Sequence, residues 1–131
     1  MALSAYPNTI ELRFEGVLPK PPQREIREVA ECLGWTYEGL EGEWHVLSVS
    51  LDVPLLRSPR ISLKEEAPSR YVGRGVVPAG ELIFEIEVIE EGGGLCRWVF
   101  KGVQRGLINI LGRGVFESLA RRIVERVVAC L

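Results

Sequence analysis

The chain has 131 residues, of which 47% are hydrophobic and 26% are charged, with a formal net charge of -2. This length and composition are typical of one globular domain, residues 1–131, that is large enough to bury a core. The near-neutral charge excludes the basic field by which proteins usually attract nucleic acid, so no nucleic-acid partner is expected.

A strand followed by a helix is predicted near the start of the chain. Apolar and charged residues alternate from Thr9 to Leu18, which is typical of a strand with one buried face. After the prolines at positions 21 and 22 a helical pattern begins, and Gly34 can end it. The buried face of this helix is predicted to contain Ile26, Val29, Ala30 and Leu33.

From Trp35 onward the pattern has period two and predicts about six strands. The first lies in GWTYEGLEGEW, and the others lie near residues 45–53, 61–64, 70–77, 82–90 and 96–101. Short connections such as EGGG favour antiparallel pairing between neighbours in sequence, as in a meander. Glu85 and Glu87 alternate with apolar residues and are expected on a solvated outer face.

One amphipathic helix is predicted from about residue 110 to residue 130. Its apolar face contains Ile108, Leu111, Val115, Leu119, Ile123 and Val127, widened by Phe116, Ala120, Val124 and Leu131. The opposite face carries arginines and glutamates, which a membrane-spanning helix would not tolerate, so membrane contact is expected to be peripheral at most. Gly106, Gly112 and Gly114 are expected to allow close packing or a bend at its start, the place where a gate would form.

The three cysteines, Cys32, Cys96 and Cys130, are odd in number and widely spaced. This pattern suits neither a disulfide framework nor a zinc site, so with a single histidine in the chain we expect three buried thiols, no disulfide and no metal. No cofactor is expected either. The first residues lack the basic start and long apolar run of a secretory signal, which favours a cytoplasmic location.

Three stretches carry a resemblance to a known family: ISLKEEAPSRYVGRGVV, ELIFEIEVIEEGGGLCRWVFKG and RGLINILGRGVFESLARRIVERVV. With the order strand, helix, six strands and long helix, they resemble the helix-grip superfamily of START domains, polyketide cyclases and birch-pollen-allergen-like proteins. Within it they look most like the G-subunit family of carbon monoxide dehydrogenase. The resemblance implies an α+β fold in which a curved antiparallel sheet of about six to seven strands wraps around the C-terminal helix.

Helix-grip domains commonly enclose a pocket, so the resemblance implies a site for a hydrophobic or amphipathic small molecule, such as a lipid or acyl conjugate, between sheet and helix. We therefore expect a non-catalytic binding or carrier protein. The predicted lining residues are Phe14, His45, Leu47, Phe84, Trp98, Phe100, Phe116, Leu119 and Ile123. The alternative is that these side chains fill a solid core and leave no pocket.

Two other functions stay open. The resemblance to the carbon monoxide dehydrogenase G-subunit family implies an accessory protein that docks on a molybdenum hydroxylase, which would make an enzyme its partner. A cyclase-type enzyme is less favoured, because no catalytic motif accompanies the single histidine, His45. His45 is expected either to hydrogen-bond a ligand or to lie on the surface, and Glu65 either faces inward or lies at a fraying strand end. The oligomeric state is left open.

Overall fold

The computed structural model describes residues 10–50, 59–77 and 80–131. In these ranges the chain forms seven strands and three helices. The strands are β1 (Ile10–Leu18), β2 (Thr36–Glu41), β3 (Trp44–Ser48), β4 (Arg60–Ala67), β5 (Arg70–Val77), β6 (Gly80–Gly92) and β7 (Leu95–Arg105). The helices are α1 (Ile26–Leu33), α2 (Leu107–Leu111) and α3 (Arg113–Ala129).

The strands of the described ranges form one antiparallel sheet in the order β1-β7-β6-β5-β4-β3-β2. Strands β2 to β7 are a meander. The first strand, β1, pairs with the last strand, β7, and forms the edge of the sheet opposite β2. This arrangement confirms the predicted α+β class and the antiparallel pairing. Leu51 and Val53, predicted to continue the third strand, lie outside the described residues, as does Thr9.

Helix α1 has the buried face that its sequence predicts, because Ile26, Val29, Ala30 and Leu33 are all buried. It begins at Ile26 and not directly after the prolines. Glu25 and Glu28 form a capping box at this point, in which the Glu25 backbone N–H donates to the Glu28 carboxylate at 3.0 Å. Gly34, in the left-handed conformation, ends the helix as predicted.

The predicted C-terminal helix is divided in two at Gly112, whose φ of 79° and ψ of 153° interrupt the helical backbone. The break gives α2 and α3 independent helical phases. The apolar face that was predicted for one continuous helix therefore does not coincide with the face that α3 buries. The buried residues of α3 are Phe116, Ala120, Val124 and Val128. Val115, predicted on the buried face, is 60% exposed. Among the described residues no helix is long and apolar enough to cross a membrane.

The prediction of three free cysteines is wrong, because Cys32 of α1 forms a disulfide with Cys130, which follows α3. Their Cα atoms are 5.8 Å apart, within the usual range for a disulfide. The pairing joins residues 98 positions apart, and only the packing of α1 beside the end of α3 brings them together. Cys96 is a buried free thiol, as predicted.

Hydrogen bonds reinforce the same junction between α1 and the end of α3. The backbone N–H groups of Gln23 and Arg24 donate to the Leu131 carbonyl at 2.7 and 2.9 Å. The Arg24 guanidinium donates to the Cys130 carbonyl, and Arg126 donates to the Leu33 carbonyl, each at 3.2 Å. The C-terminal end of α3 is therefore fixed to α1 by polar bonds as well as by the disulfide.

Candidate functional site

Between α3 and the sheet lies an apolar cavity of about 100 Å³, which we call the outer compartment. Its lining residues are Val49, Pro59, Ile61, Gly75, Val76, Val77, Leu82, Leu107, Phe116, Leu119, Ala120, Ile123 and Val124. Ile61, Leu119 and Ile123 of its lining are only partly buried, so the compartment is not fully closed from solvent. The α3 side of this opening is formed by Leu119 and Ile123, which are only partly buried.

A second cavity of about 60 Å³, the inner compartment, lies where α1, α3 and the sheet meet. It is lined by Val29, Leu33, Trp35, Leu47, Ile61, Leu63, Leu82, Phe84, Ile86, Phe100, Ile123, Val124 and Val127. Both compartments have Ile61, Leu82, Ile123 and Val124 in their lining. The two are therefore neighbours separated by these four aliphatic side chains.

Glycines in the sheet make room for the aromatic rings beneath the compartments. A Cβ atom on Gly73 would lie 2.3 Å from Cζ of Phe84, its cross-strand partner, so the ring occupies the space above that glycine. The Phe100 ring likewise occupies the space above Gly102, because its ring carbons would lie 3.0 Å from a Cβ atom added there. The Phe84 and Phe100 rings stack with centroids 5.7 Å apart and form the floor of the inner compartment.

Two of the predicted lining residues lie in other parts of the core. Phe14 stacks on Phe100 with a centroid distance of 5.6 Å, and the Arg121 guanidinium of α3 covers its ring at 4.6 Å. Trp98 is 5% exposed and sits against Gly16, where a Cβ atom would be 2.5 Å from the indole nitrogen. Trp98 borders a separate groove beside the end of α3 and lines neither compartment.

His45 belongs to a third cavity, the polar groove, which has a volume of about 860 Å³. Its lining residues are Pro22, Gln23, Arg24, Glu25, Ile26, Glu43, His45, Lys64, Glu65, Glu66, Pro68, Ser69 and Tyr71. The Tyr37 hydroxyl and the His45 Nδ1 atom form a hydrogen bond at 2.7 Å. In the described ranges no three His, Cys, Asp or Glu side chains are grouped closely enough to hold a metal ion.

The polar groove also contains a tyrosine with a strongly shifted pKa. Burial raises the pKa of Tyr71 from 10.0 to about 12, with further contributions from the charge of Glu65 and its hydrogen bond to the phenol. Glu65 and Tyr71 are cross-strand partners on β4 and β5. Glu65 therefore lies on the inward-facing side of β4, which is one of the two placements considered from the sequence. Its side chain is nevertheless exposed at the edge of the groove. A phenol with so high a pKa stays neutral at ordinary pH and acts as a hydrogen-bond donor.

Six of the predicted lining residues border the two compartments: Leu47, Phe84, Phe100, Phe116, Leu119 and Ile123. Phe14, Trp98 and His45 do not. The prediction omitted Val29 and Leu33 of α1, and Trp35, the residue after the C-cap of α1. The helical spacing of Val29 and Leu33 marked them as buried, but the sequence does not indicate that α1 packs beside the end of α3.

No protein-family model matches the chain. No curated protein matches it either. Solved structures, in contrast, do match the chain. A conserved protein from Geobacillus kaustophilus aligns with a TM-score of 0.66 and 10% identity, over 92% of this chain and 91% of its own. Ara h 8.0201 aligns with a TM-score of 0.64 and 10% identity, over 94% of this chain and 95% of its own.

A third similar structure is norcoclaurine synthase from Thalictrum flavum, solved in complex with dopamine and hydroxybenzaldehyde. It aligns with a TM-score of 0.58 and 9% identity, over 91% of this chain and 84% of its own. At such low identities the likeness establishes architecture alone. Together with the sheet order and the position of α3, these structures confirm that the chain has the α+β helix-grip fold predicted from its sequence.

Proposed function

We propose that the protein binds a small apolar molecule, or the end of an acyl chain, in the two compartments beneath α3 and does no covalent chemistry on it. The observation that carries this proposal is the pair of neighbouring cavities, about 100 and 60 Å³, lined by apolar residues from the sheet and the helices. Apolar cavities of this order stay dry and take up compact apolar ligands, as a cavity of ~150 Å³ does with benzene.

The volume of the compartments limits the ligand. Sites for drug-sized molecules measure ~300–1,000 Å³, and the two compartments together are much smaller. A whole lipid therefore does not fit beneath α3 in this arrangement, whereas a single ring or a chain end does. The rest of a longer molecule would leave beside Leu119 and Ile123, the partly buried residues at the opening of the outer compartment.

The distribution of ionisable groups supports binding without catalysis. Among the described residues, none of those that line the two compartments is ionisable. His45, Glu65 and Tyr71 line the polar groove, which shares no described lining residue with either compartment. The part of the lining that the structure describes therefore offers a ligand beneath α3 no general acid or base. Docking on a molybdenum hydroxylase, inferred from the resemblance to the carbon monoxide dehydrogenase G-subunit family, stays a hypothesis from the sequence.

The test is a titration of the full-length, oxidised protein with benzene, followed by NMR. We expect saturable binding with shifts at methyl groups of Ile123 and Leu82. Ala120→Leu fills the outer compartment from α3 and should weaken binding, whereas Ala129→Leu, the same change at an exposed position outside both compartments, should not. A neutral long-chain amphiphile should compete with benzene if a chain end enters.

Two results would overturn the proposal. One is the absence of saturable benzene binding to the wild-type protein. The other is an equal loss of affinity in Ala120→Leu and Ala129→Leu. Because Ala120→Leu adds volume to a packed core and can destabilise it, Leu119→Ala provides a second measurement. This variant removes volume from the lining and should allow larger aromatic hydrocarbons to bind.

A further inference from the structure

The Cys32–Cys130 disulfide joins the two helices that form opposite walls of the inner compartment. On α1, Cys32 is one helical turn after Val29 and directly before Leu33, and both of these residues line the compartment. Cys130 directly follows α3 and is one turn after Val127, which lines the compartment from the other side. The bond therefore limits how far the α1 wall and the α3 wall can separate.

Hydrogen bonds also link α1 to the end of α3, but they are reversible. The Arg126 guanidinium donates to the Leu33 carbonyl at 3.2 Å, and the backbone N–H groups of residues 23 and 24 donate to the Leu131 carbonyl. The Arg126 bond is only partly buried, so water can replace it when the helices separate. Because such exchanges cost little net free energy, the covalent bond is the link that keeps the two walls together.

The two cysteines of the disulfide differ in their access to solvent. Cys32 is an exposed residue, whereas Cys130 is 7% exposed. Thiol–disulfide exchange requires a thiolate to reach one of the two sulfur atoms, so an external reductant meets Cys32 first. The free thiol of Cys96 is 1% exposed and is shielded from the same reagents.

Reduction by a dithiol is a balanced exchange that begins at Cys32. One thiolate of the reductant attacks the Cys32 Sγ atom and forms a mixed disulfide, while the bond to Cys130 breaks and Cys130 leaves as a thiolate that takes up a proton. The second thiolate of the reductant then attacks the reductant's own sulfur in the mixed disulfide and releases Cys32. The protein gains two thiols, the reductant becomes a disulfide, and the reverse exchange restores the original bond.

We propose that this disulfide is a redox-controlled clamp that sets the size of the ligand that the inner compartment accepts. In the oxidised protein the compartment keeps its volume of about 60 Å³, well below the ~150 Å³ of a cavity that takes up benzene. After reduction the α1 wall can move away from α3, and a larger apolar molecule can enter. The inference rests on the proposed function, since it needs a ligand beneath α3, and it adds regulation of that site by dithiols.

The experiment measures the binding of benzene and of naphthalene, which has a second fused ring, to the oxidised protein and to protein kept reduced with dithiothreitol. The affinity for naphthalene relative to that for benzene should rise at least about fivefold on reduction, the lower end of typical coupling between two sites. Using a ratio removes any general weakening of binding that affects both hydrocarbons. The double variant Cys32→Ser/Cys130→Ser should bind like the reduced protein without dithiothreitol. Cys96→Ala is the matched control, because it keeps the disulfide and should respond to dithiothreitol like the wild type.

A second readout holds even if the reduced protein folds poorly. Coupling is reciprocal, so a ligand that prefers the reduced form shifts the exchange equilibrium with dithiothreitol toward the protein dithiol. The reduced fraction is measured by alkylation and mass spectrometry at a fixed ratio of reduced to oxidised dithiothreitol. The clamp predicts a larger reduced fraction with naphthalene than with benzene. If reduction only unfolded the chain, a bound ligand would favour the disulfide instead.

The outcomes separate the clamp from binding itself. If the affinity ratio is unchanged by reduction, or if naphthalene leaves the exchange equilibrium in place or shifts it toward the disulfide, the clamp is overturned. Saturable binding of benzene to the oxidised protein would then still support a site beneath α3. If neither hydrocarbon binds saturably to either form, the proposed function fails and the clamp fails with it.

Discussion

Phe84 and Gly73 are cross-strand partners, and the ring of Phe84 occupies the space that a side chain on Gly73 would need. The distance from a Cβ at position 73 to Cζ of the ring would be 2.3 Å, too short for any contact between carbon atoms. The floor of the inner compartment thus depends on the absence of a side chain on the neighbouring strand.

Replacing Gly73 with alanine should force the Phe84 ring toward the inner compartment, which it lines. We expect a loss of about 1–3 kcal/mol in the free energy of unfolding, as for other overpacked cores, together with weaker benzene binding. Gly75→Ala is the matched control, because its Cβ would meet Ile61 at an ordinary 3.7 Å. Urea denaturation measures the free energy of unfolding of both variants. Equal stabilities for the two variants would contradict this packing of Phe84 on Gly73.

The Cys32–Cys130 disulfide should contribute strongly to stability. For a loop of this size, 98 residues, the chain-entropy model gives roughly 4–5 kcal/mol, and removal of native disulfides typically costs ~2–5 kcal/mol. We expect Cys130→Ser and the reduced wild type to unfold at similar, lower urea concentrations, and a Cys96 variant to remain sensitive to reductant. The unfolded, unreduced chain should contain one free thiol, and a count of three would show that the bond does not form.

Gly112 and Gly114 are two residues apart and should respond oppositely to alanine. Gly112 has φ 79° and ψ 153°, a conformation that is essentially restricted to glycine, so Gly112→Ala should cost about 1–3 kcal/mol. Gly114 lies in the first turn of α3, and no atom lies within 4 Å of an added Cβ. Gly114→Ala should therefore stabilise the protein by up to ~1 kcal/mol. Thermal unfolding of the two variants tests the break between α2 and α3.

The raised pKa of Tyr71 predicts a loss of stability at alkaline pH. Its pKa is raised from 10.0 to about 12 on folding, so between these values the unfolded chain releases the phenolic proton while the folded chain keeps it. The contribution of Tyr71 is therefore constant below about pH 10 and falls as the pH rises toward 12. Tyr71→Phe should flatten the decline of unfolding free energy in this window. Parallel pH profiles for the wild type and Tyr71→Phe would disprove the linkage.

Local patterns predicted the elements whose environment depends on neighbours in sequence. The alternation around Phe84 and Phe100 identified the inner face of the sheet correctly, because side chains in a strand point alternately to its two sides. The face of α1 was equally clear, because Ile26, Val29 and Leu33 have helical spacing. Short hairpins left antiparallel pairing as the simplest topology, and the structure has it.

The errors concern relations that local patterns do not contain. A glycine within an apolar helical pattern is compatible with a bend or with a full break, and the break at Gly112 changes which face of α3 is buried. The partners Cys32 and Cys130 are separated by most of the chain, so spacing alone does not reveal their contact. The period-two pattern that begins at Trp35 correctly predicts the strand β2, but it does not indicate that the Trp35 side chain lines the inner compartment.

The disulfide has a consequence for the protein under mechanical load. A force applied to the chain outside positions 32 and 130 passes through the sulfur–sulfur bond and bypasses strands β2 to β7 and α3, whereas β1, which precedes Cys32, stays in the loaded path. With the bond intact, the 98-residue segment adds nothing to the length of the pulled molecule. After reduction the same segment could extend by roughly 320–350 Å, at ~3.3–3.6 Å per residue. In single-molecule pulling, the oxidised protein should therefore show only a short unfolding step, and reductant should reveal the long one.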